Sequence, residues 1–444
     1  MRFLVLLACA GSLLAEFRAG AAKTVITPDL QKFAPVYMAG FGHNRIAAGV
    51  HDDLYARCLA LGAGKKPVVV CEVDLIGLFL DDVERIRAKV SGADVVVAST
   101  HVHEGPDTMG LWGPGAGQSG IHEDYNSFVV DRVAEAANSA IKALEPATPI
   151  LARVQSPELD SFIDDTRPPV VHDADLIILS VAGKDGKTIA TAVNWANHPE
   201  TLGSRNTRIT ADYPGFFYTR LEARLGGMAV LWNGAVGGMQ SPLGAQVKDA
   251  EAGALAPENS FRKAEIIGQR IADLAADAVR AAKPNRIGRV TFAERKIAIP
   301  VTNQGFQAAA RADLYKGRKK TAADGSTTAP VGLIELSGSG PQLDVALVPG
   351  ELYPELSVGG VERYTGADFP DAPIEPPIKP LLPAPYRMLI GLADDEIGYI
   401  IPKAEWDEKA PYLQNAPKAW YGEENSVGPD AAARIAAAIK AMTR

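Results

Sequence analysis

The first residues whose types and spacing suggest chemistry are two histidines separated by one residue, His101 and His103. They follow an apolar run at residues 95–98 and lie in a turn that contains Gly105 and Pro106. Residues two apart in extended backbone point the same way, so both rings can face one cavity. Imidazole nitrogen is a good ligand for a divalent metal, commonly zinc. The pair is equally compatible with two hydrogen-bonded loop histidines that hold no metal.

Two later loops also follow apolar strands, and each carries a candidate group. His198 lies in a polar loop after residues 192–195, at the kind of strand end where α/β proteins gather catalytic groups. The alternative is a histidine that caps a surface loop. Ser241 precedes Pro242 in the glycine-rich loop 232–242, whose backbone amides could approach a substrate closely. A serine in this place is either a nucleophile or a turn residue, and composition alone favours the turn.

The elements that must position these loops alternate between strands and helices. This pattern predicts an α/β fold, with a mixed sheet core, flanking helices and catalytic groups on the loops at strand ends. No linker divides the chain into independent halves. Strands are predicted at residues 54–61, 68–73, 95–98, 176–181, 189–195, 229–232, 289–299, 332–336 and 343–348. Helices are predicted at residues 81–90, 122–144, 213–225, from 260 onward and at 431–442, and the proline-rich stretch 369–385 is predicted to be irregular.

The N-terminus predicts export. Arg2 precedes an apolar run at residues 3–15, which is typical of a secretory signal peptide cleaved after Ala15 and is too short to span a bilayer. We therefore expect a mature chain of residues 16–444 that is secreted or periplasmic. A buried N-terminal element and a lipoprotein signal through Cys9 are the alternatives.

Composition excludes one class of partner and leaves one pairing open. The net charge is −8 and no long basic run occurs, so a nucleic-acid partner is disfavoured. No later segment is apolar enough to be a membrane helix. Cys58 and Cys71 would face each other if a hairpin turn centres between Gly64 and Lys65. They would then form either a cross-strand disulfide or two buried thiols.

Several blocks of the sequence resemble the neutral (non-lysosomal) ceramidases, zinc amidases that cleave the N-acyl bond of sphingolipids. The segment from Ser99 to Pro106 reads S-T-H-V-H-E-G-P, where that family has S-T-H-T-H-S-G-P. The similar blocks follow the family order and lie at residues 19–28, 49–57, 99–106, 194–199, 240–242, 349–352 and 391–400. The resemblance implies that residues 16–444 form the catalytic domain, without the β-sandwich domain that follows it in full-length ceramidases.

The resemblance also implies a metal site. Carried over residue by residue, it assigns four Zn²⁺ ligands to this chain: His101, His198, Glu351 and Tyr399. The family has two tyrosines near the last of these positions, and Glu396 takes the place of one of them.

Three further residues acquire catalytic roles by the same resemblance. His103 would act as an acid/base or hydrogen-bonding group beside the metal, and Arg167 would face the reacting carbonyl or the product carboxylate. Ser241 falls where the family has its nucleophilic serine. The implied reaction is zinc-dependent hydrolysis of an N-acyl, ceramide-like amide to a fatty acid and an amine, with a small-molecule or lipid-like substrate as partner.

Departures from the family pattern leave two other functions open. Val102 and Glu104 replace a threonine and a serine, and Glu104 adds an anionic side chain beside the metal loop. One alternative is an exported zinc hydrolase for a non-ceramide ester or amide, with Glu104 excluding lipid. The other is a non-catalytic relative that binds a metal or another ligand. Trp112, in a glycine-rich loop, would either cover a substrate or support that loop.

Overall fold

The computed structural model describes residues 15–64 and 66–443. The predicted signal peptide and Cys9 fall on residues that, apart from Ala15, lie outside the described residues. Within the described ranges, no helix combines the length and the apolar character needed to cross a membrane.

The described residues form eighteen strands, most of them in two sheets. Their bounds are β1 (Arg18–Val25), β2 (Gly49–Val50), β3 (Tyr55–Gly62), β4 (Val68–Val73), β5 (Asp94–Ser99), β6 (Glu145–Val154), β7 (Leu176–Gly183), β8 (Thr188–Trp195), β9 (Arg208–Ile209), β10 (Met228–Asn233), β11 (Lys248–Asp249), β12 (Ala254–Leu255), β13 (Arg289–Pro300), β14 (Ser326–Ser337), β15 (Pro341–Leu347), β16 (Glu351–Leu352), β17 (Tyr386–Ile390) and β18 (Tyr399–Ile400).

Nine α-helices occur in the same part of the chain, together with four single-turn 3₁₀ helices. The α-helices are α1 (Leu80–Arg87), α2 (Glu123–Lys142), α3 (Pro157–Asp160), α4 (Tyr213–Leu225), α5 (Phe261–Ala281), α6 (Gln304–Arg311), α7 (Pro354–Val358), α8 (Ile378–Leu381) and α9 (Ala431–Met442). The 3₁₀ turns are Gly237–Met239, Lys403–Glu405, Leu413–Asn415 and Glu423–Asn425.

The two sheets stack between two layers of helices. The large sheet has the strand order β10-β8-β7-β6-β1-β3-β4-β5, and the small sheet has the order β13-β14-β15-β17. Helices α2, α4 and α5 cover the outer face of the large sheet, and α9 covers the outer face of the small one. Both sheets mix parallel and antiparallel pairs. The predicted α/β fold with a mixed sheet core and flanking helices is therefore confirmed.

The residues of β4 show how this layering follows from sequence. Val68 and Val70 pack between the two sheets, whereas Val69, Cys71 and Val73 point the other way, into the layer beneath α2. A strand that is covered on both faces needs apolar side chains at successive positions rather than at alternate ones. The continuous apolar run is the result of burial on both sides.

Of the two alternatives for Cys58 and Cys71, a disulfide or two buried thiols, the structure has the disulfide. Cys58 and Cys71 are opposite each other in the β3–β4 register and form a disulfide, with Cα atoms 4.0 Å apart. Both residues are fully buried.

A segment between β13 and β14 extends over the space between the sheets. We call residues 301–325 the roof segment; it contains the amphipathic helix α6. Arg318 attaches it to the rest of the fold through ion pairs with Asp82 (2.7 Å) and Glu123 (3.0 Å), and Lys319 pairs with Asp395.

Candidate metal centre and adjoining cavity

The strand ends that carry the histidines converge because the large sheet curls. Strands β5 and β8 are far apart in strand order, yet β10, next to β8, also lies near β4 and β5. At the end of β10, the Asn233 side-chain amide donates to the carbonyl of Thr100 (2.7 Å) and to that of Asn197 (3.1 Å). One side chain thus joins the residue before His101 to the residue before His198.

Glu351 reaches the same place from the small-sheet side. It begins β16, the two-residue strand that follows β15, and it is the register partner of Tyr399 in β18. Oε2 of Glu351 lies 3.3 Å from Nε2 of His101 and 3.2 Å from Nε2 of His198. The structure therefore brings together three of the four residues expected to bind zinc.

The two histidines present their Nε2 atoms for a definite reason. Nδ1 of His101 donates to the carbonyl of Ile76 (2.7 Å), and Nδ1 of His198 donates to that of Gln240 (2.8 Å). A backbone carbonyl accepts only, so each Nδ1 carries a proton and each Nε2 is left to bind a metal. Two imidazoles and one carboxylate form a ligand set that suits catalytic zinc. The donors present fit Zn²⁺.

Charges within this group reinforce one another. Burial alone would raise the pKa of Glu351, but His101 and His198 outweigh it and lower the pKa to about 2. Burial would lower the pKa of His198, yet its hydrogen bond to Glu351 and the charge of Glu200 raise it. The carboxylate is therefore ionised over the whole physiological pH range, as a metal ligand must be.

The backbone at His101 differs from the extended geometry that the sequence argument assumed. His101 has φ of 69°, in the left-handed region that residues other than glycine rarely adopt. Both His101 and His103 nevertheless line the same cavity, with ring centroids 5.0 Å apart. The assumption of extended backbone was wrong, although both rings face one cavity as expected. Ligand atoms of His101, His103 and His198 all lie within 4.8 Å of one another.

Tyr399 lies beside Glu351 but uses its hydroxyl elsewhere. The hydroxyl donates to the sulfur of Met239 (3.3 Å), and burial raises the pKa of Tyr399 well above its usual value. To bind a metal, the hydroxyl would have to leave the sulfur. Its role as a ligand stays a prediction.

His103 is held at the cavity wall by packing. Gly40 has φ of 90°, and a Cβ at that position would lie 2.3 Å from the His103 ring, so only glycine fits against this face. Nδ1 of His103 is 3.2 Å from Oε2 of Glu200, but it makes no aligned hydrogen bond there. Burial, together with His101 and His198, lowers the pKa of His103 well below its usual value.

Ser241 lies behind this layer and does not line the cavity. It is 4% exposed, its hydroxyl donates to Oε1 of Glu200, and its Oγ accepts from the backbone N–H of Leu243 (3.0 Å). The structure thus places Ser241 near His198, without an opening to the cavity.

Arg167 also lies outside the residues that line the cavity. Its guanidinium forms a bidentate pair with Glu423 (2.7 and 2.8 Å) and donates to the carbonyls of Tyr421 (3.1 Å) and Glu405 (2.9 Å). The donors that were expected to face a reacting carbonyl are thus occupied by the segment that carries Tyr421. Contact between Arg167 and substrate stays a prediction.

A cavity of about 520 Å³ adjoins the histidines and Glu351. Its walls are mainly apolar and aromatic, and Trp112 and Tyr421 are among the residues that line them. The roof segment contributes Val301, Phe306, Ala310, Tyr315, Lys319 and Thr321. This volume and lining are typical of sites for small, largely apolar ligands. Of the two alternatives for Trp112, its place in the wall favours contact with a ligand.

Glu104 does not do what its sequence position suggested. It is fully buried and does not line the cavity, so it does not present a charge to a lipid. Burial, together with nearby Asp212, raises its pKa well above the usual range. Burial therefore disfavours the ionised form, and the carboxyl faces the protein interior rather than the cavity.

Sequence reasoning missed Glu200, which contacts both His103 and Ser241. It lies two residues after His198, in a loop already considered catalytic, and that position was the available signal. The acidic residue Glu396 takes the place of a family tyrosine near Tyr399. It lines the cavity, and burial and the charge of Glu351 raise its pKa well above the usual range.

Comparisons with known proteins support the fold. No family model matches the sequence, and no curated protein sequence matches it. The structure is similar to that of neutral ceramidase from Pseudomonas aeruginosa, with a TM-score of 0.72, 16% identity, and coverage of 97% of this chain and 74% of that one. A ceramidase complexed with C2 is similar to the same degree, with a TM-score of 0.71, 17% identity, and coverage of 97% and 75%. The chain therefore has the neutral ceramidase fold, as the sequence blocks implied.

Proposed function

Starting from the neutral ceramidase fold, we propose that this chain is an exported zinc-dependent amidohydrolase that cleaves an N-acyl, ceramide-like amide to a fatty acid and an amine. The observation that carries the proposal is the convergence of the Nε2 atoms of His101 and His198 on Glu351 at an apolar cavity. Residues 16–444 would form the catalytic unit.

In this proposal four residues hold the zinc: His101, His198, Glu351 and Tyr399. Zinc, when bound, polarises the amide carbonyl and lowers the pKa of water to about 7. The carbonyls of Ile76 and Gln240 keep the two imidazoles oriented. The alternative is a ligand set of His101, His103 and His198. The ring nitrogens of His103 have no hydrogen-bond partner among the described residues, so one of them could bind the metal.

His103 is the group we assign to proton transfer. It lines the cavity, and burial and the neighbouring histidines lower its pKa, which favours the neutral imidazole. In that form it can accept a proton from the attacking water and later donate it to the leaving amine. A zinc-binding variant without this imidazole would bind substrate but turn it over slowly.

The cavity supports an apolar acyl chain as part of the substrate. Phe79, Met109 and Leu111 form part of the apolar wall, and each methylene of a buried chain contributes about 0.8 kcal/mol to binding. An ester or a different amide with a similar acyl group would meet the same wall. A non-ceramide substrate is therefore the second candidate, and a panel of substrates separates the two.

The decisive experiment measures metal and turnover on one preparation of the mature chain. We expect about one zinc per chain by mass spectrometry, turnover of a fluorescent N-acyl sphingosine, and loss of both in His101→Ala and His198→Ala. His172→Ala is the matched control, since that ring lies on a loop and pairs with Asp160 (3.5 Å). It should retain zinc and activity.

Two results would contradict the proposal. Full turnover by protein stripped of metal would exclude zinc-dependent chemistry. Zinc binding without hydrolysis of any N-acyl amide, in a panel that also contains acyl esters and peptides, would favour one of the alternative functions. His103→Ala separates the two ligand sets: it keeps its zinc if His103 transfers protons, and it loses zinc if His103 is a ligand.

A further inference from the structure

We propose that Glu200 is a positioning residue for His103, and that Ser241 fixes Glu200 rather than attacking the substrate. This inference rests on the proposed function, because it concerns the same reaction. Glu200 and Ser241 both lie just outside the cavity. Ser241, in the loop after β10, contacts Glu200, and Glu200 contacts His103 in the cavity wall.

Glu200 contacts both Ser241 and His103. Its carboxylate is 2% exposed and has a different partner at each oxygen: Oε1 accepts from the hydroxyl of Ser241, and Oε2 lies 3.2 Å from Nδ1 of His103. A carboxylate that is fixed at one oxygen presents the other in a fixed direction. Glu200 therefore connects Ser241 to the imidazole.

The imidazole of His103 is held in place by packing. Gly40 packs against the ring, and Phe41 contacts its edge, with centroids 5.1 Å apart. This packing limits where the ring can go but does not choose its rotation or its tautomer. Oε2 of Glu200 lies 3.2 Å from Nδ1, so this carboxylate can make that choice. With Nδ1–H directed at Glu200, Nε2 is free to accept a proton.

The imperfect alignment of this contact fits the proposal. His103 and Glu200 are within ion-pair distance, but the N–H does not point at the oxygen. Catalytic hydrogen bonds are often long or poorly aligned before substrate binds and tighten in the reacting complex. A small rotation of the imidazole would align the pair.

Ser241 is buried away from the cavity. A nucleophile needs an open path to the carbonyl carbon, but Ser241 is 4% exposed and absent from the cavity lining. Its Oγ also accepts from Leu243, and its backbone pairs with Asp164 on both sides (2.8 and 3.2 Å). These contacts hold the hydroxyl against Glu200.

The test uses the full chain with four substitutions: Glu200→Gln, Ser241→Ala, Ser241→Thr and, as a matched control, Glu222→Gln. Glu222 bridges Lys23 and Arg57 away from the cavity. Zinc content, kcat and KM are measured for each. We expect Glu200→Gln to lower kcat about 10- to 100-fold with KM and zinc unchanged, because a neutral amide holds the Nδ1–H less strongly than a carboxylate does.

Substitutions at Ser241 distinguish a residue that holds Glu200 in place from a nucleophile that attacks the substrate. We expect Ser241→Ala to lose less than about 10-fold in kcat, and Ser241→Thr, which keeps the hydroxyl, to regain the wild-type value. Loss of turnover by more than about 10³-fold in Ser241→Ala, with zinc retained, would identify a nucleophile and overturn the proposal. An unchanged kcat in Glu200→Gln would overturn it as well.

A spectroscopic measurement tests the role of Glu200 without relying on enzyme activity. Long-range ¹H–¹⁵N spectra of the zinc-free chain report which ring nitrogen of each histidine carries the proton, and His103→Ala assigns the His103 signals. We expect the Nδ1–H form in the wild type and its loss in Glu200→Gln. The same tautomer in both proteins would refute the role of Glu200. Absence of wild-type turnover would instead refute the proposed function, so the two failures are distinguishable.

Discussion

Replacing Arg167 by methionine would leave the carboxylate of Glu423 buried without its cation. The two side chains are 2% and 3% exposed, and the pair is bidentate. Removing one partner of a buried ion pair costs about 3–5 kcal/mol, because the remaining charge stays desolvated. The lost hydrogen bonds to the Tyr421 and Glu405 carbonyls are worth about 1 kcal/mol each and are included in that range. We expect the free energy of unfolding to fall by about 3–5 kcal/mol.

Urea unfolding, followed by circular dichroism and by tryptophan fluorescence, measures this change, and coincident transitions test two-state behaviour. The double variant Arg167→Met/Glu423→Gln removes both charges, so its loss should be smaller than the sum of the single losses by about 2 kcal/mol. Arg153→Met is the control: its pair with Asp175 is partly exposed, and it should cost less than about 1 kcal/mol.

One result would refute this reasoning. If Arg167→Met unfolds like the wild type and loses only kcat/KM, the guanidinium contacts the substrate, as the family resemblance implied. A loss of stability shared with Glu423→Gln would instead assign Arg167 to the segment that carries Tyr421, a residue of the cavity wall.

Four further predictions follow from single features. Replacing Cys58 and Cys71 by serine opens a link between residues 13 apart and should lower the free energy of unfolding in urea by about 3 kcal/mol, whereas an unchanged midpoint would contradict it. Burial raises the pKa of Asp394 to about 7 from 3.8, so its contribution to stability is complete below pH 3.8 and is lost as the pH rises through 7. The stability of Asp394→Asn relative to the wild type should therefore increase from pH 4 to pH 8 in urea titrations, by up to about 4 kcal/mol. Chelation of zinc should lower the Tm of the wild type but not that of His101→Ala, since a ligand that binds only the folded state stabilises it. Phe306→Trp should raise KM for long-chain but not short-chain acyl substrates, because Phe306 lines the cavity.

Periodic segments of the sequence were predicted well. Helix α5 was expected to begin at Ser260, and Ser260 caps it by accepting from the N–H of Lys263 (3.2 Å). Strands β3 and β4 and their register were also expected, because a turn and two flanking apolar runs specify a hairpin locally. Local signals of this kind need no knowledge of the rest of the fold.

Elements that depend on distant partners were missed. Strand β6 contains Pro146 and Pro149, which break the usual strand pattern, and β1 consists largely of small residues. The pairing of β16 with β18 joins only two residues of each strand, so no periodicity could reveal it. The contact of Glu200 with Ser241 spans 41 residues and arises only when the strand ends converge.

The origin of the roof segment in a single connection has an evolutionary consequence. Residues 301–325 join two adjacent strands of the small sheet, whereas the proposed metal ligands lie in other segments of the chain. Selection can therefore lengthen, shorten or exchange this connection without altering the groups assigned to the chemistry. Relatives of this chain can then differ in the shape of the cavity while keeping His101, His198 and Glu351 in place.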